Sequence, residues 1–369
     1  MKIAIVCDYL GGIGGAERVC QYICEEFPDA DVYTLGYNAK AVFPYFATRS
    51  IKSTWLSKFI QSPKRFRLSF FIATYVMQCL DLSRYDVVIS ASATVAKYVS
   101  VKNGRHFCYC FIPTRAIWHF DRYFTHSLIG KIFQLLLPLL RKRDYEAAQK
   151  VDHFIAISRV TQGYIKRFYD RDSVILHSPI DTGKFTTSSE KKDYHLIVSR
   201  LEHWKVLDYA IEAFNESGFP LRIIGAGEEE SRLRAMAKPN ITFLGEVDDA
   251  CLSQQYAEAR AVIFTPCLEY GLIPLEANAS GTPVICYGRG GVEETMVSLE
   301  AAAVTGEYPT AVFFFEQTSE ALLDAIKKCS AYSFDSQKLV RHAARWSVET
   351  FRKGLRRQIV EVCRLPELT

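Results

Sequence analysis

Lys2-Ile3-Ala4-Ile5-Val6-Cys7 runs through Asp8-Tyr9-Leu10 into Gly11-Gly12-Ile13-Gly14-Gly15 and then Ala16-Glu17-Arg18-Val19-Cys20-Gln21-Tyr22-Ile23. A short apolar run closed by a turn signal reads as a strand buried on both faces. Four glycines in five positions make a tight turn, and residues 16–26 carry helical spacing. Strand, glycine turn and helix open a wound α/β unit. The alternation continues outward, with strands expected at 31–35, 86–90, 107–111, 152–157 and 173–178. The polar stretch 186–192 then predicts a boundary, with one domain over 1–188 and a second over 189–369. The pattern restarts with strands at 195–199, 222–224, 241–244, 261–265, 283–286 and 311–315. A helical tail over 336–362 is expected, with the C-terminal helix able to pack back on the first domain. The expected fold class is α/β, with two doubly wound domains facing across a cleft at the carboxyl ends of their strands.

Composition agrees. The chain has 369 residues, 49% hydrophobic and 23% charged, with net charge +4. These values exclude a disordered, collagen-like or coiled-coil chain and fit about two domains. The eleven cysteines are scattered and odd in number, with no paired CxxC spacing, which predicts reduced thiols in a cytoplasmic protein. Only five residues separate Lys2 from Asp8, too few for a secretory apolar region, and no apolar run is long enough to span a bilayer.

Charge is unevenly spread. Residues 1–190 hold 25 Lys and Arg against 16 Asp and Glu, whereas residues 191–369 hold 20 against 25. No acidic residue lies between Asp31 and Asp81, a gap holding Lys40, Arg49, Lys52, Lys58, Lys64, Arg65 and Arg67 among Trp55, Phe59, Phe66, Phe70 and Phe71. A second cluster, Arg141-Lys142-Arg143, follows an apolar run. Such mixtures suit an anionic membrane surface, and equally a solvated basic face over an ordinary core. A pI of 8.4 does not argue for nucleic acid.

Three stretches at predicted strand ends carry the chemistry. The first is the glycine loop, whose backbone and following helix can approach an anion. It fails GxGxxG, with Glu17 at the last glycine position, and lacks a Walker lysine. The plain alternative is a tight turn. The second is Ser199-Arg200-Leu201-Glu202-His203-Trp204-Lys205, where Arg200 and Lys205 can converge on one diphosphate. Most such cations are simply solvated. The third is Leu268-Glu269-Tyr270-Gly271-Leu272-Ile273-Pro274-Leu275-Glu276, read as a loop entering a helix near Pro274. Glu276 then falls in the first turn, able to accept hydrogen bonds from two adjacent hydroxyls or merely to complement the helix dipole. Metal ligation has little support. The eight His are dispersed, and Asp29-Ala30-Asp31 and Asp170-Arg171-Asp172 each precede a strand.

In combination these segments resemble the family four retaining nucleotide-sugar glycosyltransferases of the GT-B fold. The likeness covers nearly the whole chain. It runs through Gly14-Gly15-Ala16-Glu17-Arg18, Phe154-Ile155-Ala156-Ile157-Ser158, Arg200 to Lys205, Ile224-Gly225-Ala226-Gly227 and Phe243-Leu244-Gly245-Glu246-Val247. Its strongest part is Gly271-Leu272-Ile273-Pro274-Leu275-Glu276-Ala277-Asn278-Ala279-Ser280-Gly281-Thr282-Pro283. The resemblance implies two Rossmann-like domains and metal-independent transfer with no separate cofactor, the nucleotide sugar (GDP or UDP) being substrate. It implies that Arg200 and Lys205 hold the donor diphosphate, that Glu276 binds the ribose, and that Gly271, Leu272 and Ile273 contact sugar or phosphate. Gly245, Glu246 and Val247 would flank the base, Gly225 would join the donor site, and Gly14 and Gly15 would approach the reacting phosphate. Phe111, Arg115 and His119, in Cys110-Phe111-Ile112-Pro113-Thr114-Arg115-Ala116-Ile117-Trp118-His119, would lie on the acceptor side. That segment is most similar to the bacterial mannosyltransferase-type branch of surface-polysaccharide synthesis, which implies GDP-mannose and a glycan or lipid-linked acceptor.

Two positions depart from the family. Leu268 stands where an acidic residue is usual, with Glu269 displaced by one, and Phe111-Ile112 replaces His-Thr before the Pro. Glu269 is a catalytic candidate only if the loop shifts register locally, and His119 or His106 is a candidate imidazole. These departures keep two alternatives open, a non-catalytic binding relative and a GT-B nucleotide-sugar epimerase.

Overall fold

The structure, a computed structural model, describes residues 1–60, 69–119 and 128–364. Lys64, Arg65, Phe66 and Arg67 of the acid-free stretch lie outside the described residues, as does the side chain of Phe71. The chain divides into two units, Met1–Ser178 with Phe351–Thr369, and Pro179–Thr350.

The first unit holds seven parallel strands: β1 (Ile3–Cys7), β2 (Asp31–Thr34), β3 (Ile51–Ser53), β4 (Val87–Ser92), β5 (Arg105–Cys110), β6 (His153–Ala156) and β7 (Ser173–Ile175). Their order is β3-β2-β1-β4-β5-β6-β7. The second unit holds six: β8 (His195–Val198), β9 (Leu221–Ile224), β10 (Ile241–Gly245), β11 (Val262–Phe264), β12 (Val284–Tyr287) and β13 (Ala311–Phe314), ordered β10-β9-β8-β11-β12-β13. In both sheets the order reverses beside the first strand, the switch point at which such sheets bind ligands beyond their carboxyl ends.

Burial explains why these strands read as unbroken apolar runs. Successive residues face opposite sides, and helices cover both sides. Ile197, Ile263 and Ile285 enter one core of the second unit, while Leu196, Val262, Phe264, Val284 and Cys286 enter the other. Cys108 and Cys110 are buried with Phe154 and Tyr169 as small core side chains. All eleven cysteines are free thiols. Among the described residues no helix is long and apolar enough to cross a membrane.

The division falls earlier than the expected 188/189 boundary. The Ile180 amide donates to the Trp346 carbonyl at 2.9 Å, and the Phe185 ring meets Tyr256 edge-on at 5.9 Å, so these residues are part of the second unit's packing. The last helix, Val348–Cys363, brings Phe351 edge-on to Tyr109 at 5.5 Å. Arg352 pairs with Glu25 at 2.5 Å, Arg356 pairs with Glu26, and Gln358 meets His153 at 3.0 Å.

Two of the cations in the acid-free stretch are engaged by the first unit itself. Arg49 donates to the carbonyls of Cys24, Phe27, Pro28 and Ala30, closing the C-terminal end of the helix Gly15–Glu26. Lys52 pairs with Asp31 at 2.8 Å, which Arg84 also contacts at 2.8 Å. Both Asp-x-Asp occurrences thus serve ion pairs, Asp170 and Asp172 sharing Lys166.

Deeper in the first unit, Asp144 and Lys97 form a buried pair at 2.8 Å. Asp144 also accepts from Tyr98 at 2.6 Å, Thr114 at 3.1 Å, Trp118 at 2.7 Å and Tyr169 at 2.7 Å. Burial opposes its charge, but the Lys97 ammonium and the hydroxyl donors outweigh that and hold its pKa below the usual carboxylate value.

Two histidines are buried neutral. His106 lies at the amino end of β5, 2.8 Å from the Ser90 hydroxyl, and His195 opens β8 at 5% exposure. Burial pushes both down to about 4. The unfolded chain therefore binds more protons than the native one between about pH 4 and 6.5, so stability is lost as the pH is lowered across that window. Each shift corresponds to about 3 kcal/mol when fully expressed. Thermal melts from pH 7 to 4 should show a falling midpoint, and His106→Gln should flatten the decline. An unchanged slope would contradict a neutral native His106.

Candidate active site

The loop over residues 199–206 leaves the carboxyl end of β8. Ser199 donates its amide to the Ile224 carbonyl at 2.9 Å, and Leu201 donates to Ala226 at 2.9 Å. The loop ends in a short 3-10 turn, His203–Lys205, closed by Val206 in the left-handed region at φ +51°. That turn returns Lys205 toward Arg200. The Arg200 guanidinium lies 5.6 Å from the Trp204 ring centroid, and the Lys205 ammonium lies 4.2 Å from the same ring. The indole nitrogen donates to Glu202, whose other carboxylate oxygen lies 3.3 Å from Arg200. Arg200 is exposed and Lys205 buried, its carbonyl accepting from the Thr265 hydroxyl at 2.8 Å. The two cations expected to converge are thus gathered around one indole.

Glycines seat this loop. A Cβ on Gly225, at φ +124°, would lie 2.0 Å from the Ser199 carbonyl oxygen, and one on Gly227 would lie 2.2 Å from that of Leu201. Gly225 therefore admits the backbone that carries Arg200. Gly245 differs: at φ +69° it bulges β10 into open space, followed by exposed Glu246 and half-buried Val247.

At the end of β11, the Gly291 amide donates to the Leu268 carbonyl at 2.8 Å. Cβ atoms on Gly290 and Gly291 would each lie 2.4 Å from a carbonyl oxygen, those of Leu268 and Glu269. Leu268 is half-buried against the core and Glu269 is buried. The helix begins earlier than expected, spanning Leu272–Ala279 with Gly271 as its N-cap. Pro274 is its third residue and Glu276 sits in the second turn, which removes the first-turn dipole reading of Glu276. Instead the Tyr256 hydroxyl, fully buried, donates to Glu276 at 2.9 Å and orients it. The Leu272 and Ile273 amides occupy the first turn, where N–H groups lack intrahelical acceptors.

In the first unit the helix begins at Gly15 with Gly14 as N-cap. A Cβ on Gly12 would meet nothing within 4 Å, whereas one on Gly11 would collide with the Tyr9 ring. Phe111 stands edge-on to Tyr109 at 5.4 Å, Arg115 starts a short helix, and His119 tilts against Tyr164 at 4.8 Å. His106, at the far end of β5, is not with them.

Several participants escape the sequence reading. Trp204 and Tyr256 give no signal, since an aromatic near a strand or helix end is ordinary. Gly288-Arg289-Gly290-Gly291 does carry one, a glycine cluster after a predicted strand like that after β1. Asp8 accepts the amides of Ala93, Thr94, Val95 and Ala96 at 2.6–2.8 Å, a seat visible only once β1 and β4 are paired. Among the described residues no group of three or more His, Cys, Asp or Glu is placed to hold a metal ion.

Two family descriptions match the chain in succession, "Glycosyltransferase Family 4" over residues 13–184 and "Glycosyl transferases group 1" over residues 181–346. The chain belongs to the family four glycosyltransferases. This family four chain is 25% identical over 233 residues to the O-antigen chain mannosyltransferase RfbU of Salmonella typhimurium, a match covering 58% of this chain and 64% of that one. The match thus spans less than two thirds of that relative's length. It is 22% identical over 381 residues to the alpha-1,3/1,6-mannosyltransferase ALG2 of Eremothecium gossypii, covering 82% of this chain and 71% of that one. The crystal structure of Anabaena HepE in complex with UDP superposes with TM-score 0.68 at 17% identity, covering 98% of this chain and 100% of that chain. That likeness establishes the GT-B fold.

The glycine seats yield a prediction. Gly225→Ala must displace the Ser199 carbonyl and should cost on the order of 2–4 kcal/mol in urea unfolding. Gly245→Ala, at φ +69° and in open space, should cost only about 1–2 kcal/mol. Equal costs would show that close approach is not what Gly225 provides.

Proposed function

We propose that the chain is a retaining glycosyltransferase that moves a sugar, mannose from GDP-mannose, from a nucleotide diphosphate to a glycan or lipid-linked acceptor in surface-polysaccharide synthesis. The observation that carries this reading is the gathering of Arg200 and Lys205 around Trp204 at the carboxyl end of β8. In the transfer, an acceptor hydroxyl oxygen bonds to the anomeric carbon on the donor's own face. The bond from that carbon to the β-phosphate oxygen breaks, and its electron pair leaves with the diphosphate. The hydroxyl proton passes to the departing phosphate oxygen. Charge accumulates on that oxygen, and two preplaced cations stabilise it where it develops. The Leu272 and Ile273 amides add donors at a helix N-terminus. Glu276, oriented by Tyr256, accepts from ribose hydroxyls, the buried Glu269 carboxylate faces the sugar, and residues 245–247 flank the base. The names of RfbU and ALG2 support mannose.

Thermal melting with a panel of nucleotides and nucleotide sugars tests the donor site. One compound should stabilise the chain clearly, by about 2.7 kcal/mol at a hundredfold excess over its dissociation constant. Arg200→Ala and Lys205→Ala should each lower turnover by roughly 10²–10³-fold, with Glu276→Ala chiefly weakening nucleotide binding. Unchanged nucleotide affinity in all three variants would refute the assignment. Binding without donor consumption would favour the non-catalytic alternative.

An anionic membrane surface is the second proposed partner, at the inner face of a membrane. Trp55 and Phe59 are each 62% exposed beside exposed Lys58. Leu135 and Leu139 are exposed on the helix Leu128–Gln149, one to two turns before Lys142. Binding to vesicles containing anionic phospholipid should fall steeply with salt and weaken in the Trp55→Ser, Phe59→Ser double variant. Salt-independent partitioning would oppose it.

A further inference from the structure

A cavity of about 600 Å³ opens in the second unit where no donor-side residue reaches, at the amino ends of its strands. His195 opens β8, Ala261 precedes β11 and Pro283 precedes β12, and all three line it. No Asp or Glu is among its lining residues, whereas Lys191 and Arg260 both are.

Each of these groups has bonding capacity left. The Lys191 ammonium donates to the Ala257 carbonyl at 2.6 Å and the Thr282 hydroxyl at 2.7 Å, which occupies two of its three protons. Although the residue as a whole is exposed, its ammonium group is drawn inward, and burial lowers its pKa to about 8. A bound anion would offset that cost. Arg260 meets Asp193 through Nε at 3.1 Å and carries five N–H donors in all.

His195 forms part of the wall, 5% exposed and held between Phe214 at 5.2 Å and Phe219 at 6.1 Å with the Pro220 carbonyl beside it. On the cavity's outer side Tyr332, 38% exposed, and Phe334 lie 4.7 Å apart and offer apolar ring surface of the kind that covers the C–H face of a sugar. Ser189 and Ser333 bring further hydroxyls. Cations without lining carboxylates select an anion, and serine hydroxyls beside aromatic rings select a polyol.

We propose that this cavity binds a small sugar bearing a phosphate, a hexose phosphate, with Lys191 and Arg260 on the phosphate and the Tyr332 ring against the C–H face of the sugar. The site lies within one unit and does not depend on the donor-site assignment.

The test titrates the full chain with glucose 6-phosphate, inorganic phosphate or glucose, read by thermal melting and by the His195 ring resonances in NMR. Glucose 6-phosphate should raise the melting temperature and shift the His195 resonances, with affinity roughly tenfold or more above either fragment. Lys191→Met and Ser333→Trp should remove both responses, whereas Arg200→Ala should retain them. Ser333→Trp fills the cavity from another segment, so it carries the test if Lys191→Met does not fold. No response to glucose 6-phosphate would overturn the proposal. So would an equal response to inorganic phosphate, or a response that survives Lys191→Met and vanishes in Arg200→Ala.

Discussion

The carbonyl of Ser199 occupies space that any side chain on Gly225 would need, and the second unit's chemistry hangs on that contact. A strand in a parallel sheet ends in free backbone groups, which must be paired or solvated. Here the loop after β8 pairs with the turn after β9, through Ser199 to Ile224 and Leu201 to Ala226. Only with that pairing made does the next turn bring Lys205 back toward Arg200. The same device recurs after β12, where Gly290 and Gly291 admit the backbone of Leu268 and Glu269. Glycine at these strand ends is spent on close approach to neighbouring backbone.

The first unit solves a similar problem with carboxylates. Asp8 collects four amides at the turn after β4, and Asp144 gathers Lys97, Thr114, Trp118 and two tyrosines. A buried ion pair gains little net stability over apolar packing, but losing one partner leaves an uncompensated charge. The arrangement therefore ties the turn over 93–98 to the segment 111–118 in one geometry.

Much of the fold was legible because it rests on local signals. Short apolar runs closed by glycine, repeated either side of a polar stretch, are what a helix-covered parallel sheet requires. The strand β3 was missed because its three residues at a sheet edge leave too short a pattern. The helix at Leu272 begins two residues before Pro274, the start its sequence suggests, because proline is also tolerated at a third position where no amide is needed. Arg200 and Lys205 could be singled out by spacing, but Trp204 between them could not, since stacking on an indole depends on a left-handed residue at Val206. Asp144 lies within a charged stretch of helix, Arg141-Lys142-Arg143-Asp144, and reads there as a surface residue. Its burial follows from which face meets Tyr98 and Tyr169, which no local pattern encodes.

The last helix carries a consequence for biosynthesis. Phe351, Arg352 and Arg356 complete the first unit, yet they follow the entire second unit along the chain. While the ribosome is still making residues 179–350, the Tyr109 ring and the carboxylates of Glu25 and Glu26 await partners that have not been synthesised. The amino-terminal unit thus reaches its finished packing only after the second unit has been synthesised.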